Sequence, residues 1–257
     1  MRVRVVFTDL DGTLLEPDGS LEPEAGAEIR RLTADGVPVC PVTSKTSDEL
    51  GELMGLLGLA TPAGFENGAG AILPDGSVTL APGSVPVDTL RTEAARLRER
   101  SKAPLRTLEE LDDGELAAIT ELPFSRLGAV RRRRATLPLV VAPGWDESLH
   151  AALPARPRLR LVRGNRFLHL QGDHDKTSVL TLLLSHLPPA TGIVVACGDS
   201  PNDIELLAAA DLRVIVPSVA GPSPALVQRF PDALLAPLPH GRGWAATVRS
   251  ILERTMP

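Results

Sequence analysis

VVFTDLDGT, residues 5–13, is an apolar, β-branched run that ends in two carboxylates, Asp9 and Asp11, followed at once by the turn formers Gly12 and Thr13. A run of this kind reads as a buried parallel strand. In open α/β sheets the C-terminal strand end is where ligands bind. Two acids one residue apart on such a tip suit a metal and a nucleophile. The bland alternative is a solvated strand end that uses Asp as a turn former.

The same design recurs further along. In TGIVVACGDSPND, residues 191–203, the apolar run Ile193 to Cys197 ends in Gly198, Asp199, Ser200, Pro201, Asn202 and Asp203. Two strand tips that each present carboxylates are able to share one hard cation, and oxygen donors with retained waters are what Mg2+ prefers. Between them lie Thr43-Ser44, which close the strand-like run VPVCPV, and Lys176 in HDKTSVL, a point charge suited to an anion. For Asp203 a purely structural role, as an acid at a helix N-terminus, is compatible with the functional one.

Strand and helix signals alternate through the first 83 residues. The pattern predicts a strand over 2–8, a helix over 22–35, a strand over 37–43, a helix over 47–57 stopped by Gly58, and a short strand pair over 63–80 turning at Pro74-Asp75-Gly76. This order argues for a parallel sheet with helices on both faces. Residues 84–170 break the rhythm. They are Arg-rich, begin with a helix candidate over 86–101, and end in a hairpin candidate turning at Arg163-Gly164-Asn165. From Lys176 the alternation resumes, with a helix over 176–186, a strand over 192–197, a helix over 201–210 and a strand over 212–216. The expected division is a core of residues 1–83 and 171–257 with residues 84–170 inserted as a second domain.

DxDGT, a Thr-Ser pair after the second strand, a lone Lys and GDxxND, in this order from residue 9 to residue 203, resemble the four motifs of the haloacid dehalogenase superfamily. The resemblance implies a Rossmann-like α/β core with an inserted α+β cap, and Mg2+-dependent phosphoryl transfer through an aspartyl-phosphate. It implies Asp9 as nucleophile and Asp11 as general acid and base, Lys176 as the charge that offsets both Asp9 and the phosphoryl group, and Thr43, Ser44 and Asn202 as phosphate contacts. It implies a metal site of Asp9, Asp11, Asp199 and Asp203, with Asp11 contributing its backbone carbonyl; side-chain ligation is the rival role for Asp11. In related sugar phosphatases Gly usually follows the lysine, whereas Thr177 does here.

A narrower likeness joins TSKT at 43–46, FENGAG at 65–70 and RFLHLQG at 166–172 to the mannosyl-3-phosphoglycerate phosphatase family. It implies a substrate with a phosphate, a carboxylate and a hexose, and substrate contacts from Lys45, Glu66, Asn67, Arg166 and His169. His169 has an equal alternative as a solvent-face strand residue. Compatible-solute synthesis is the implied setting. Another hexose-, sucrose- or trehalose-phosphate phosphatase, a phosphomannomutase, and a catalytically inactive sensor on the same fold are the competing readings.

Composition sets the outer bounds. The 257-residue chain is 43% hydrophobic with a net charge of −5, which gives a nucleic-acid partner no global electrostatic support. Arg131 to Arg134 form a local basic run whose plain reading is a solvated helix face. Cys40 and Cys197 fall in expected buried strands and indicate no disulfide framework. No 18-residue apolar run is present, and the strand that begins at residue 2 leaves no room for a signal peptide. The expected partner is a small phosphorylated sugar derivative, not a membrane or nucleic acid, handled in the cytoplasm by a monomer or small homo-oligomer.

Overall fold

The computed structural model describes residues 2–155, 158–163 and 167–255. Its first part runs β1 (Val3–Thr8), α1 (Pro23–Ala34), β2 (Val39–Pro41), α2 (Ser47–Leu57), β3 (Ala63–Phe65), β4 (Gly70–Ile72) and β5 (Val78–Leu80). The middle holds α3 (Val87–Ser101), β6 (Leu105–Thr107), α4 (Asp113–Thr120), α5 (Phe124–Arg131), β7 (Thr136–Val141), α6 (Asp146–Ala151), β8 (Leu159–Arg163) and β9 (Leu168–Gly172). The last part holds α7 (Leu180–Ser185), β10 (Ile193–Gly198), α8 (Ile204–Ala208), β11 (Leu212–Ile215), α9 (Pro224–Arg229), β12 (Leu234–Leu235) and α10 (His240–Thr255).

The principal sheet is five-stranded and parallel, in the order β12-β11-β10-β1-β2. Alternation sends successive strand residues to opposite faces. Val6, Val195, Cys197 and Val214 pack into an apolar cluster with α1, α2 and α10, while Val5, Phe7, Ala196 and Ile215 join α7, α8 and α9 on the other face. Helices therefore cover both faces of an α/β core. Because β1 and β10 are parallel neighbours in register from Val5 to Thr8, the acidic tips that follow them emerge side by side.

Two further sheets flank this one. The expected strand pair is a three-stranded meander, β3-β4-β5. Glu66, Asn67 and Gly68 all take positive φ between β3 and β4, which turns the chain before the anticipated hairpin at 73–77. A four-stranded antiparallel sheet, β6-β7-β9-β8, carries its own apolar clusters against α3, α4, α5 and α6. The β8–β9 pairing matches the expected hairpin, whose turn residues Gly164 and Asn165 lie outside the described residues.

The helix expected from Lys176 starts later, at Leu180. The Asp175 side chain accepts from Thr177 N–H and its carbonyl from Ser178 N–H, closing a turn that holds Lys176 outside the helix. Arg131 to Arg134 do not form a solvated helix face either. The helix stops at Arg131, and the next three arginines reach Asp48, the Ser44 carbonyl and the Ser47 hydroxyl. Both cysteines are free and buried. Among the described residues no helix is long and apolar enough to cross a membrane.

Candidate active site

The tips of β1 and β10 are tied together before any side chain is considered: the Asp9 N–H donates to the Cys197 carbonyl at 3.0 Å. Asp9, Asp199 and Asp203 then converge, with one oxygen from each lying within 4.8 Å of the others. Gly12 makes this approach possible. It has φ +84, and a Cβ there would stand 2.6 Å from Asp199 Oδ2. Thr13 Oγ1 donates to Asp199 Oδ1 at 3.2 Å, and Asp203 Oδ2 accepts from the backbone N–H groups of Asp199 and Ser200 at 3.1 Å each.

Lys176 enters this group from the turn after β9. Its Nζ donates to Asp9 Oδ1 and to Asp203 Oδ1, both at 2.6 Å, and the residue is 1% exposed. Burial works against its ammonium, but Asp203 and Asp9 outweigh that and hold its pKa above the ordinary lysine value. Burial, with the neighbouring carboxylates of Asp203 and Asp199, raises the Asp9 pKa well above the usual range. Asp199 is pushed up to about 7, again chiefly by burial and then by Asp203. Three carboxyl groups thus converge on one lysine, and crowding them favours either bound protons or a cation among them. An oxygen cage of this kind is suited to a hard cation.

The family profile described as "haloacid dehalogenase-like hydrolase" matches residues 6–81. A Thermoplasma acidophilum crystal structure superposes with a TM-score of 0.73 at 17% identity over 100% of both chains. A phosphatase of the haloalkanoate enzyme superfamily from Bacteroides thetaiotaomicron does so with a TM-score of 0.74 at 18% identity, over 98% of this chain and 96% of that one. Over residues 6–81 the chain is therefore similar to the haloacid dehalogenase-like hydrolases. It is also 26% identical, over 97% of each chain, to the glucosyl-3-phosphoglycerate/mannosyl-3-phosphoglycerate phosphatase of Persephonella marina.

The remaining expected residues fall into distinct surroundings. Asp11 lies outside the trio: its side chain, 44% exposed, pairs with Lys45 Nζ at 2.7 Å. Lys45, expected at an anion site for substrate, thus sits beside Asp11. Thr43 is buried, and its Oγ1 accepts from Lys45 N–H at 3.2 Å. Asn202 lines a cavity of about 270 Å³ beside Lys176 and Asn67. Asn67 is buried there with φ 57 and an unpartnered Oδ1.

Glu66 and His169, expected as substrate contacts, are both buried. Glu66 is fully buried, and its carboxylate is filled by the N–H groups of Arg134, Ala135 and Thr136 and by Thr136 Oγ1, at 2.8–3.0 Å. It fixes the start of β7. His169 is buried on β9, and burial, reinforced by Arg133, pushes its pKa down to about 3. It is a neutral imidazole at pH 7, neither solvent-facing nor a cation for a carboxylate. Arg166 lies outside the described residues.

Sequence reasoning missed two contributors. His240, the first residue of α10, bonds through Nδ1 to the Gly12 carbonyl at 3.1 Å, fastening the loop after β1 from 228 residues away. Arg133 donates to the Ser44 carbonyl at 3.0 Å. No local pattern marks either residue, although the basic run made Arg133 visible as a charge.

Proposed function

We propose that the protein is a Mg2+-dependent phosphomonoester hydrolase working through an aspartyl-phosphate on Asp9. The observation that carries this reading is the Lys176 ammonium held at 2.6 Å from both Asp9 and Asp203, with Asp199 alongside. Its substrate is mannosyl-3-phosphoglycerate or the glucosyl counterpart, and its product the corresponding glycosylglycerate, a compatible solute. That finer assignment is supported by the similarity to the Persephonella marina phosphatase and by TSKT, FENGAG and RFLHLQG in this sequence.

In this reading Asp9 attacks phosphorus and splits one displacement into two easier ones. Asp11, on the solvent side of the acid trio, protonates the leaving alkoxide and then takes a proton from the attacking water. Thr43, Ser44 and Asn202 hold phosphoryl oxygens, and Lys176 screens Asp9 from the phosphoryl charge. Asp9, Asp199 and Asp203, with the Asp11 carbonyl, would hold Mg2+; their clustered hard oxygens fit that ion, which supplies charge neutralisation for the phosphoryl group.

We assign residues 84–170 as a lid over a core of residues 1–83 and 171–257. The lid excludes water and selects the leaving group. Its separate sheet and apolar clusters support the division, as do the bonds from 129–136 onto Ser44, Thr46, Ser47, Asp48 and Glu66.

The test is turnover of mannosyl-3-phosphoglycerate set beside hexose and triose phosphates, with Mg2+ and in chelator. Asp9→Asn is expected to retain less than a few per cent of activity with an unchanged circular dichroism spectrum. Full activity in chelator after verified metal removal overturns the metal assignment. Equal turnover of glucose 6-phosphate and mannosyl-3-phosphoglycerate overturns the narrow substrate.

A further inference from the structure

The cavity beside Lys176 has a second wall in β8 of the four-stranded sheet, which brings Arg160 and Arg163 to it. The register shows which way that wall looks. Thr136, Gln171 and Arg160 form one row across β7, β9 and β8, so their side chains share a face of the sheet. Thr136 Oγ1 donates to Glu66 Oε2 of the core at 2.8 Å, so the shared face is the one turned toward the core. Leu159 and Leu161 point the other way, into the sheet's own apolar cluster. Arg160 is thus a cation on the inner face of the lid, and its side chain is 39% exposed.

The other cations of the cavity already hold close carboxylates. Lys176 Nζ stands 2.6 Å from both Asp9 and Asp203, and Arg163 Nη2 meets both oxygens of Asp146 at 2.6 Å. Arg160 is held more loosely. Its Nη1 donates to the His174 carbonyl at 3.3 Å, while Asp175 Oδ2, at 3.7 Å, lies beyond hydrogen-bond reach. The other oxygen of Asp175 is taken by the Thr177 N–H at 2.8 Å and the Thr177 hydroxyl at 2.5 Å. A guanidinium is a planar fork of five donors whose shape matches a carboxylate. This one has donors left over, and its contacts at His174 and Asp175, which also line the cavity, keep it there beside the turn that carries Lys176. We infer that Arg160 is a specificity-determining residue that binds a carboxylate on the leaving group, so that the lid selects phosphate esters carrying a second acid. This rests on the phosphatase reading and deepens it by naming the residue that meets the glycerate carboxylate.

The test compares mannosyl-3-phosphoglycerate with its neutral carboxamide, which keeps the shape and removes the charge. With Mg2+, kcat/KM of the unaltered protein is expected to favour the carboxylate by roughly 10-fold or more, as a charge-assisted hydrogen bond requires. In Arg160→Met that ratio is expected to fall to within about twofold of one, and in Arg160→Lys, which keeps the charge and loses the fork, to an intermediate value. If Arg160 only braces the His174 turn, or only closes the lid by pairing with Asp175 or with Glu205 across the cavity, both esters lose activity together, the ratio stays, and the inference is overturned. An Arg160-dependent preference for fructose 1,6-bisphosphate over fructose 6-phosphate, with none for the carboxylate ester, gives the arginine to a second phosphate and overturns it too. Calorimetric titration with free mannosylglycerate, set beside its carboxamide, separates this inference from the phosphatase reading. A protein that hydrolyses no phosphate ester but binds mannosylglycerate, about 10-fold more weakly in Arg160→Met, loses the phosphatase reading and keeps this one. A protein that turns over phosphate esters with no Arg160 dependence in the ratio or in binding keeps the phosphatase reading and loses this one. Neither preference nor binding in the unaltered protein overturns it outright.

Discussion

A lysine with 1% exposure stays a cation because Asp9 and Asp203 face it at 2.6 Å on either side. Removing one partner of such a buried group strands the others, typically at about 3–5 kcal/mol. Lys176→Met is therefore expected to lower unfolding stability by about that amount in chelator, measured by urea denaturation. Millimolar Mg2+ is expected to recover part of the loss, since the cation then carries the positive charge alone. No recovery would separate the lysine from the metal site. His169 works in the opposite sense. Its folded pKa of about 3 lies below the ordinary value of 6.5, so between those limits the unfolded chain binds the proton more readily. Stability is expected to decline as pH falls from about 6.5 toward 3, by at most about 1.4 kcal/mol per pH unit from this residue. His169→Gln should flatten that slope in a pH series of thermal melts.

The loop Glu66–Gly68 is the element on which the two halves of the site meet. Glu66 accepts three backbone N–H groups at the start of β7 and one hydroxyl from Thr136. Glu66→Ala leaves those donors buried and unpaired, each worth about 1–3 kcal/mol. The expected result is a loss of at least about 3 kcal/mol, with Glu66→Gln losing less because one carbonyl oxygen remains. Equal stability of Glu66→Ala and the unaltered chain would remove Glu66 from its structural role. The sequence carries little of this. FENGAG is legible as a motif, but the grip of its acid on β7 is not, because its partners lie 68–70 residues away with no local signature. The β1 and β10 tips were legible because a strand, its turn and its acids are contiguous. The delayed start of α7 was not, because the Asp175 turn competes locally with a helix pattern that the leucines alone would support.

At the scale of the whole molecule, the arginines after α5 tie the four-stranded sheet to the core. Arg132 pairs with Asp48, Arg133 with the Ser44 carbonyl, and Arg134 with the Ser47 hydroxyl. The exposed Arg132–Asp48 pair is worth little by itself. The expected outcome for the combined Arg132→Ala and Arg134→Ala substitution is faster hydrogen exchange across residues 44–48 and 129–136, with near-unchanged protection in β1 and β10. Global loss of protection would mean that the tie stabilises the fold rather than the docking. The parallel sheet with two covered faces was readable from alternation. How the basic run is used was not, since a surface helix and a docking segment share the same composition. Glu66 and Asn67 are adjacent in the chain, yet one grips β7 and the other opens onto the cavity. With both held in left-handed backbone, a displacement of the four-stranded sheet at β7 would reach the cavity wall through a single peptide link, as a push on one end of a short lever reaches the other.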